Sequence, residues 1–349
     1  MRKNDKNVVL LQVFLGLIFL FPIRLLSQKM ASVYAGHDVS ESINKKTETK
    51  AVQSPLLIDV ESTLDSIKQK SGKHVHVSKF YYKLAVTFAK MKMYPLALKC
   101  FYRSTRKIRE ISNNIDSTNY NNDDFFSLNQ LNDSIFSTSS GEAVAVLGDT
   151  ILINSLSKKS KSNVVNASDI LQPFEDGKVS RAYGIIVHVK QPVRGKRKKI
   201  RLFHGDVGHT FISLIKYNAD GSNVIRTFGF YPRKSFPLVA TPLIPGTAAD
   251  FKNDAAHDWD EAVGKFISKE QFDLIIDLTK KFTKERYHLS KNNCTDFGLN
   301  IASIAGIYIK NTKGKWLLGS GNDPADMGQS IREDAVASNG GNLFICVPD

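Results

Sequence analysis

Asn292-Asn293-Cys294-Thr295-Asp296-Phe297 opens an apolar run through Ile301, Ile304 and Ala305 to Gly306. The spacing predicts a helix that begins at the cysteine. A thiol at that point meets unpaired N–H groups and the positive end of the helix dipole, which favour its thiolate. A thiolate nucleophile also needs a base. The best candidate is His209, 85 residues upstream in Gly208-His209-Thr210-Phe211-Ile212-Ser213-Leu214. The same residues admit a plainer reading, in which Cys294 is a buried helix-start cysteine and His209 a strand residue bonded to a neighbour.

The segments around these two stretches read as a sheet with helices. Ala182 to Val189 and Thr210 to Tyr217 have strand character, and Val224 to Phe230 returns after Asn218-Ala219-Asp220-Gly221. An Asp-Gly turn between apolar runs predicts an antiparallel hairpin. The basic stretch Arg194-Gly195-Lys196-Arg197-Lys198-Lys199 reads as a solvated loop, or as a contact for phosphate or acidic polymer. Pro232 to Ala256 holds four prolines and reads as a long connection that could wall a cleft. A helix is predicted from Lys269 through Phe272, Ile275, Ile276 and Leu278 to Phe282, and a short one over Ala325 to Asp334. Leu343 to Val347 reads as a terminal strand.

The chain of 349 residues is 42% hydrophobic and 23% charged, enough for a substantial core and two domains. Its formal charge is +14, which favours anionic surfaces or polymers as partners. No zinc-finger spacing, P-loop or glycine-rich dinucleotide turn accompanies that charge, so no specific nucleic-acid partner is expected. Three cysteines, Cys100, Cys294 and Cys346, make no disulfide framework. Cys100, on a helix face, and Cys346, in the terminal strand, read as core filler. His204, His209 and Cys294 lack tight metal-ligand spacing, so neither metal nor cofactor is expected.

The N-terminal part divides by composition. Arg2, Lys3 and Lys6 precede a 16-residue uncharged run from Val8 to Ile23. Residues 1–28 therefore read as a signal peptide, or as a membrane anchor if uncleaved. They carry four basic side chains and one acid, and their removal leaves +11. Residues 29–55 read as a polar spacer, 56–111 as a helical region, and 112–164 as an Asn- and Ser-rich linker with short strands. Residues 165–349 form the second domain. The expectation is export from a bacterial cytoplasm to the periplasm or the medium.

Two resemblances follow from these residues. Tyr81, Leu84, Ala85, Phe88, Ala97, Phe101 and Ser104 resemble one tetratricopeptide unit, which implies a protein-partner surface; a plain helical hairpin fits them equally. In the second domain, Gly208-His209 on a strand, followed by Asn293-Cys294-Thr295-Asp296-Phe297, resembles the circularly permuted papain-like families. These are the NlpC/P60-type, PPPDE and lecithin–retinol acyltransferase-like groups. The resemblance covers roughly residues 180–310. It implies an α+β fold with an antiparallel sheet packed on a cysteine-bearing helix. It also implies Cys294 as nucleophile and His209 as base. Activities so implied are cleavage of peptide or isopeptide bonds, hydrolysis of cell-wall amides, or transfer of acyl groups. Amide hydrolysis in the cell envelope is the expectation, with peptidoglycan peptide as the favoured substrate because the chain reads as exported and basic. A non-catalytic module that binds envelope polymer or a partner is the alternative. The Cys294 N–H can serve an oxyanion. Asn293 or Asn292 either adds a donor or only satisfies the turn. His204 and Asp206, just before His209, and Tyr231 could line the site. For the group that orients His209 the adjacent strand offers Thr227, while His257, Asp258 and Asp260 lie farther along without an assigned place.

Overall fold

The computed structural model describes residues 74–113, 162–197, 207–235, 238–316 and 318–348. The expectations for residues 1–28 and 29–55, and most of those for the linker, lie outside them. The described residues belong to one compact unit, Ser62–Asp349. They form a mixed α+β fold.

Alternation of apolar residues drives the central strands. Strands β2 (Ser180–Lys190), β3 (His209–Asn218) and β4 (Asn223–Pro232) form an antiparallel meander, with Val187 opposite Ile212 and Ile212 opposite Phe228. The turn between β3 and β4 is the one the Asp-Gly signal predicts. Beyond β4 lie β5 (Gly246–Asn253) and the two-residue β1 (Val164–Val165). Beyond β2 lie β6 (Glu261–Ile267) and β12 (Phe344–Cys346), giving the order β1-β5-β4-β3-β2-β6-β12. β7 (Arg286–His288) pairs with the free stretch of β5. Strand β5 corrects the expectation that Pro232 to Ala256 is all connection. Thr247-Ala248-Ala249-Asp250 shows no apolar alternation, and its pairing to β4 and β7 makes it a strand.

Every residue of β3 is buried, so both faces of the sheet are covered. On one face lie α4 (Lys269–Phe282), α5 (Cys294–Ile304) and α6 (Pro324–Arg332). Helix α4 starts at a reciprocal cap: Ser268 Oγ accepts from Gln271 N and Gln271 Oε1 accepts from Ser268 N. Its buried Phe272, Ile275, Thr279 and Phe282 form one helical stripe. Phe297 of α5 packs with Phe282 at 5.0 Å and Phe251 at 5.3 Å between ring centroids. That aromatic knot pins α5 one turn after its cysteine.

The other face carries the hairpin of α1 (His74–Lys90) and α2 (Tyr94–Asn113). The Tyr94 ring lies 4.6 Å from His188, and Tyr217 donates to Pro95 O at 3.0 Å. A Cβ at Gly184 would stand 2.7 Å from Leu98 Cδ1, so glycine lets α2 close on the sheet. The apolar face that a single helical repeat cannot bury by itself therefore packs on the sheet. Between the helices the chain turns by two bonds, Met93 N to Phe88 O and Lys92 N to Ala89 O. This is a Schellman turn with Lys92 at its left-handed position, φ 62°. Glycine is usual there, because a Cβ costs about 1–2 kcal/mol.

The basic loop after β2 is held by α6. Arg197 pairs with Asp326 at 3.0 Å and Glu333 at 2.6 Å, while residues 198–200 are outside the description. No helix among the described residues is long and apolar enough to cross a membrane.

Candidate active site

Cys294 is the first residue of α5, and Asn293 is its cap. Asn293 Oδ1 accepts from Thr295 N at 2.8 Å and Asp296 N at 3.1 Å. Its Nδ2 donates to Leu289 O and Asn322 O. All four bonding positions of the amide are used, so Asn293 satisfies the turn and has no donor left for a substrate. Asn292 donates to Arg286 O at 2.9 Å and likewise holds the turn. Asn322 lies on β10 (Gly319–Asn322), the partner of β9 (Lys313–Trp316). It also donates to Asp296 Oδ1 at 2.7 Å, tying that hairpin to the start of α5. Replacing Asn293 by alanine should cost about 1–2 kcal/mol of stability through the lost cap. A lower denaturant midpoint at unchanged slope would show it.

His209 opens β3, directly after Gly208, whose φ is +74°. A Cβ at Gly208 would lie 2.5 Å from Lys190 O, so only glycine lets the chain enter the strand there. His209 Nε2 donates to Asp254 Oδ2 at 3.1 Å, and the carboxylate is fully buried. Asp254 follows β5, and its N–H donates to Thr227 O at 3.0 Å. Its other oxygen, Oδ1, accepts from Tyr231 OH and Ser162 Oγ, both at 2.7 Å.

The bond to His209 expected from Thr227 is thus made by Asp254. The Thr227 hydroxyl bonds Ser213 at 2.8 Å instead. Tyr231 supports the acid and packs against the His209 ring at 4.2 Å. His204 and Asp206 lie outside the described residues. His257 stands 5.3 Å from His209 between ring centroids, with Nδ1 on Asp258 O. Asp260 is engaged with Lys190 at 2.9 Å.

Gly229 makes room for the His209–Asp254 pair. A Cβ there would sit 2.5 Å from both Asp254 Oδ2 and His209 Nε2. Asp254 was missed because it lies 45 residues beyond His209, on a strand without apolar alternation. The lone glycine inside an apolar strand was the available signal, since such a glycine marks a close approach.

The electrostatics order the three groups. Burial works against a charged imidazole. The Asp254 charge and hydrogen bond, with a hydrogen-bond interaction from Cys294, outweigh it and hold His209 up at about 9. Burial also works against a charged Asp254, but His209 and Tyr231 keep its carboxyl below the usual range. Burial pushes the Cys294 thiol up, and His209, the Thr210 N–H and the Thr295 hydroxyl more than reverse it, so the thiol lies below its ordinary value. Cys100 and Cys346, which lack such partners, are pushed up to about 12, chiefly by burial. Burial, and after it the neighbouring Cys294, push the Tyr287 phenol up and keep it protonated. Cys294 and His209 remain 7% and 6% exposed, whereas Cys100 and Cys346 are at 0%.

Among the described residues, no three His, Cys, Asp or Glu side chains are placed to share a metal ion. Comparison of the chain with protein-family models, with curated proteins and with solved structures gave no match.

Proposed function

We propose that the protein is a thiol-dependent amide hydrolase of permuted papain-like type, with Cys294 as nucleophile, His209 as base and Asp254 as the orienting acid. One observation carries the reading. Of three buried cysteines, only Cys294 has its ionisation favoured, and the favouring group is a histidine bonded to a buried carboxylate. Perturbed groups arranged in such a series are a candidate functional site on physical grounds.

The chemistry runs through these side chains. With Nε2 held by Asp254, the other ring nitrogen, Nδ1, is left for the thiol proton. The sulfur adds to the substrate carbonyl carbon, and negative charge moves to the carbonyl oxygen. The Cys294 N–H at the helix start can donate to that oxygen, and the protonated Tyr287 phenol, which interacts with Cys294, is a candidate second donor. Collapse expels the amine, which takes the proton from imidazolium and leaves a thioester. Water then gives its proton to His209 and attacks the thioester, releasing acid and thiol. The basic chain and its N-terminal apolar run favour an envelope substrate, with peptidoglycan peptides first among candidates.

Acyl transfer is the second reading, because an alcohol or amine can replace water at the last step. Leu238, Leu243 and Ile244 are exposed on the connection whose Pro245 O receives Leu289 N, beside the cysteine turn. Such side chains favour an acyl chain over a polar peptide.

A thiol-directed electrophile should label Cys294 ahead of Cys100 and Cys346, and muropeptides and thioester acyl donors should then be compared as substrates. Equal labelling of the three cysteines would reject the catalytic reading in favour of a binding module.

A further inference from the structure

We propose that the turn of the helical hairpin is part of the device that orients His209, with Lys92 as a positioning residue that clamps the Asp254 turn. This rests on the reading of Cys294, His209 and Asp254 given above and adds a control to that site. Asp254 opens a tight turn closed by His257 N on Asp254 O at 2.8 Å. Lys92 Nζ donates to Ala256 O, inside that turn, at 2.6 Å. It also reaches Asp258 at 3.5 Å, but that carboxylate is 84% exposed and the pair counts for little. The bond to the carbonyl is the specific one, a charged donor on a fixed backbone acceptor.

A second path joins the same elements. The Tyr94 ring, two residues on, covers His188, whose Nε2 shares a bond with Ser213 Oγ at 2.9 Å. Ser213 bonds Thr227, and Thr227 O receives Asp254 N. The hairpin thus touches the acid's turn directly through Lys92 and from beneath through the sheet. The backbone at residue 92 supports a role for its side chain. The left-handed position of a Schellman turn is where glycine is most at ease. Lysine sits there at φ 62°, and from there its side chain reaches Ala256 O.

That strained position supplies a clean test. Lys92→Gly relaxes the turn and removes the clamp, while Lys92→Met removes the clamp at similar volume and Lys92→Arg retains a charged donor. Each is made in the full chain, and iodoacetamide modification of Cys294 is followed across pH. No substrate is required. The groups facing His209 in this measurement are Asp254, Cys294, Tyr231 and His257, with Tyr287 on the sulfur. Loss of the clamp should slow modification at neutral pH about tenfold, as a displaced orienting group does. It should also move the rise of the profile to higher pH, because a loosened Asp254 supports imidazolium less and the thiolate loses its counter-charge. Lys92→Gly should unfold no more readily than wild type, and Lys92→Arg should restore rate and profile. If the Gly and Met profiles overlay wild type while His209→Ala loses modification, the clamp is rejected and the site reading stands. If wild-type Cys294 shows no preference over Cys100 and Cys346, the site reading falls and takes the clamp with it.

Discussion

Replacing His209 with alanine should slow alkylation of Cys294 at neutral pH by on the order of 10³-fold. The size follows from what burial does to the other two thiols. Cys100 and Cys346 are pushed up to about 12, chiefly by burial. A thiol at that value holds about 10³-fold less thiolate at neutral pH than one near 9. Cys294 is also buried, at 7% exposure, and His209 is the largest influence opposing that burial. Without the imidazole, the Thr210 N–H and the Thr295 hydroxyl remain, but no positive charge does. The pH dependence separates two measurements. His209 holds its proton up to about 9. Below that, the imidazolium is present and favours the thiolate beside it, so both alkylation and amide turnover should be supported. Above it, alkylation should persist, because the thiolate remains. Turnover should fall, because the imidazolium that protonates the departing amine is gone. Parallel loss of both above pH 9 would contradict the assignment of His209 as the acid.

Gly229→Ala should be nearly as damaging, although residue 229 has no side chain to contribute. The added methyl would stand 2.5 Å from both Nε2 of His209 and Oδ2 of Asp254. Both are ring or carboxylate atoms fixed by neighbours, so the pair must part. Loss of the acid from such an arrangement costs on the order of 10⁴-fold in turnover in a well-studied triad. The stability cost of inserting one methyl into a packed site is smaller, about 1–3 kcal/mol. The variant should therefore fold, with its Cys294 alkylation profile moved toward that of an ordinary buried thiol. Gly246→Ala is the matched control, since a Cβ there meets only His288 Cδ2 at 3.7 Å and the Tyr287 carbonyl at 3.9 Å, ordinary contacts. An unaltered Gly229→Ala profile would show that the His209–Asp254 bond is not needed.

Much of this arrangement could be read before any coordinates. Asn293 announces the start of α5, the Asp-Gly turn announces the β3–β4 hairpin, and the stripe of Phe272, Ile275 and Phe282 announces α4. Each of these is a local signal, carried within a dozen residues. What escaped is what depends on pairing at long range. Strand β5 has one large buried residue, Phe251, and owes its conformation to β4 and β7 rather than to its own pattern. Asp254 depends on β5 for its place, so it was hidden with it. Thr227 is the local candidate because it lies on the strand next to that of His209. The register instead turns it to Ser213 and leaves only its carbonyl for Asp254 N. The resemblance to permuted papain-like proteins named the pair but not the third member.

The support of Asp254 by Ser162 has a consequence for how the chain acquires its chemistry. Ser162 precedes the first strand of the sheet, and Cys294 lies more than a hundred residues later. Tyr231, Asp254 and Tyr287 join from three further strands or their ends. Contacts so distant along the chain close late in folding, because each must first overcome the entropy of its loop. A nascent or half-collapsed chain therefore carries three exposed thiols of ordinary ionisation, and the contrast between Cys294 and the two thiols that burial raises comes into being only with the finished sheet. On the proposed reading, preferential labelling of Cys294 over Cys100 and Cys346 is thus a readout of completed tertiary assembly.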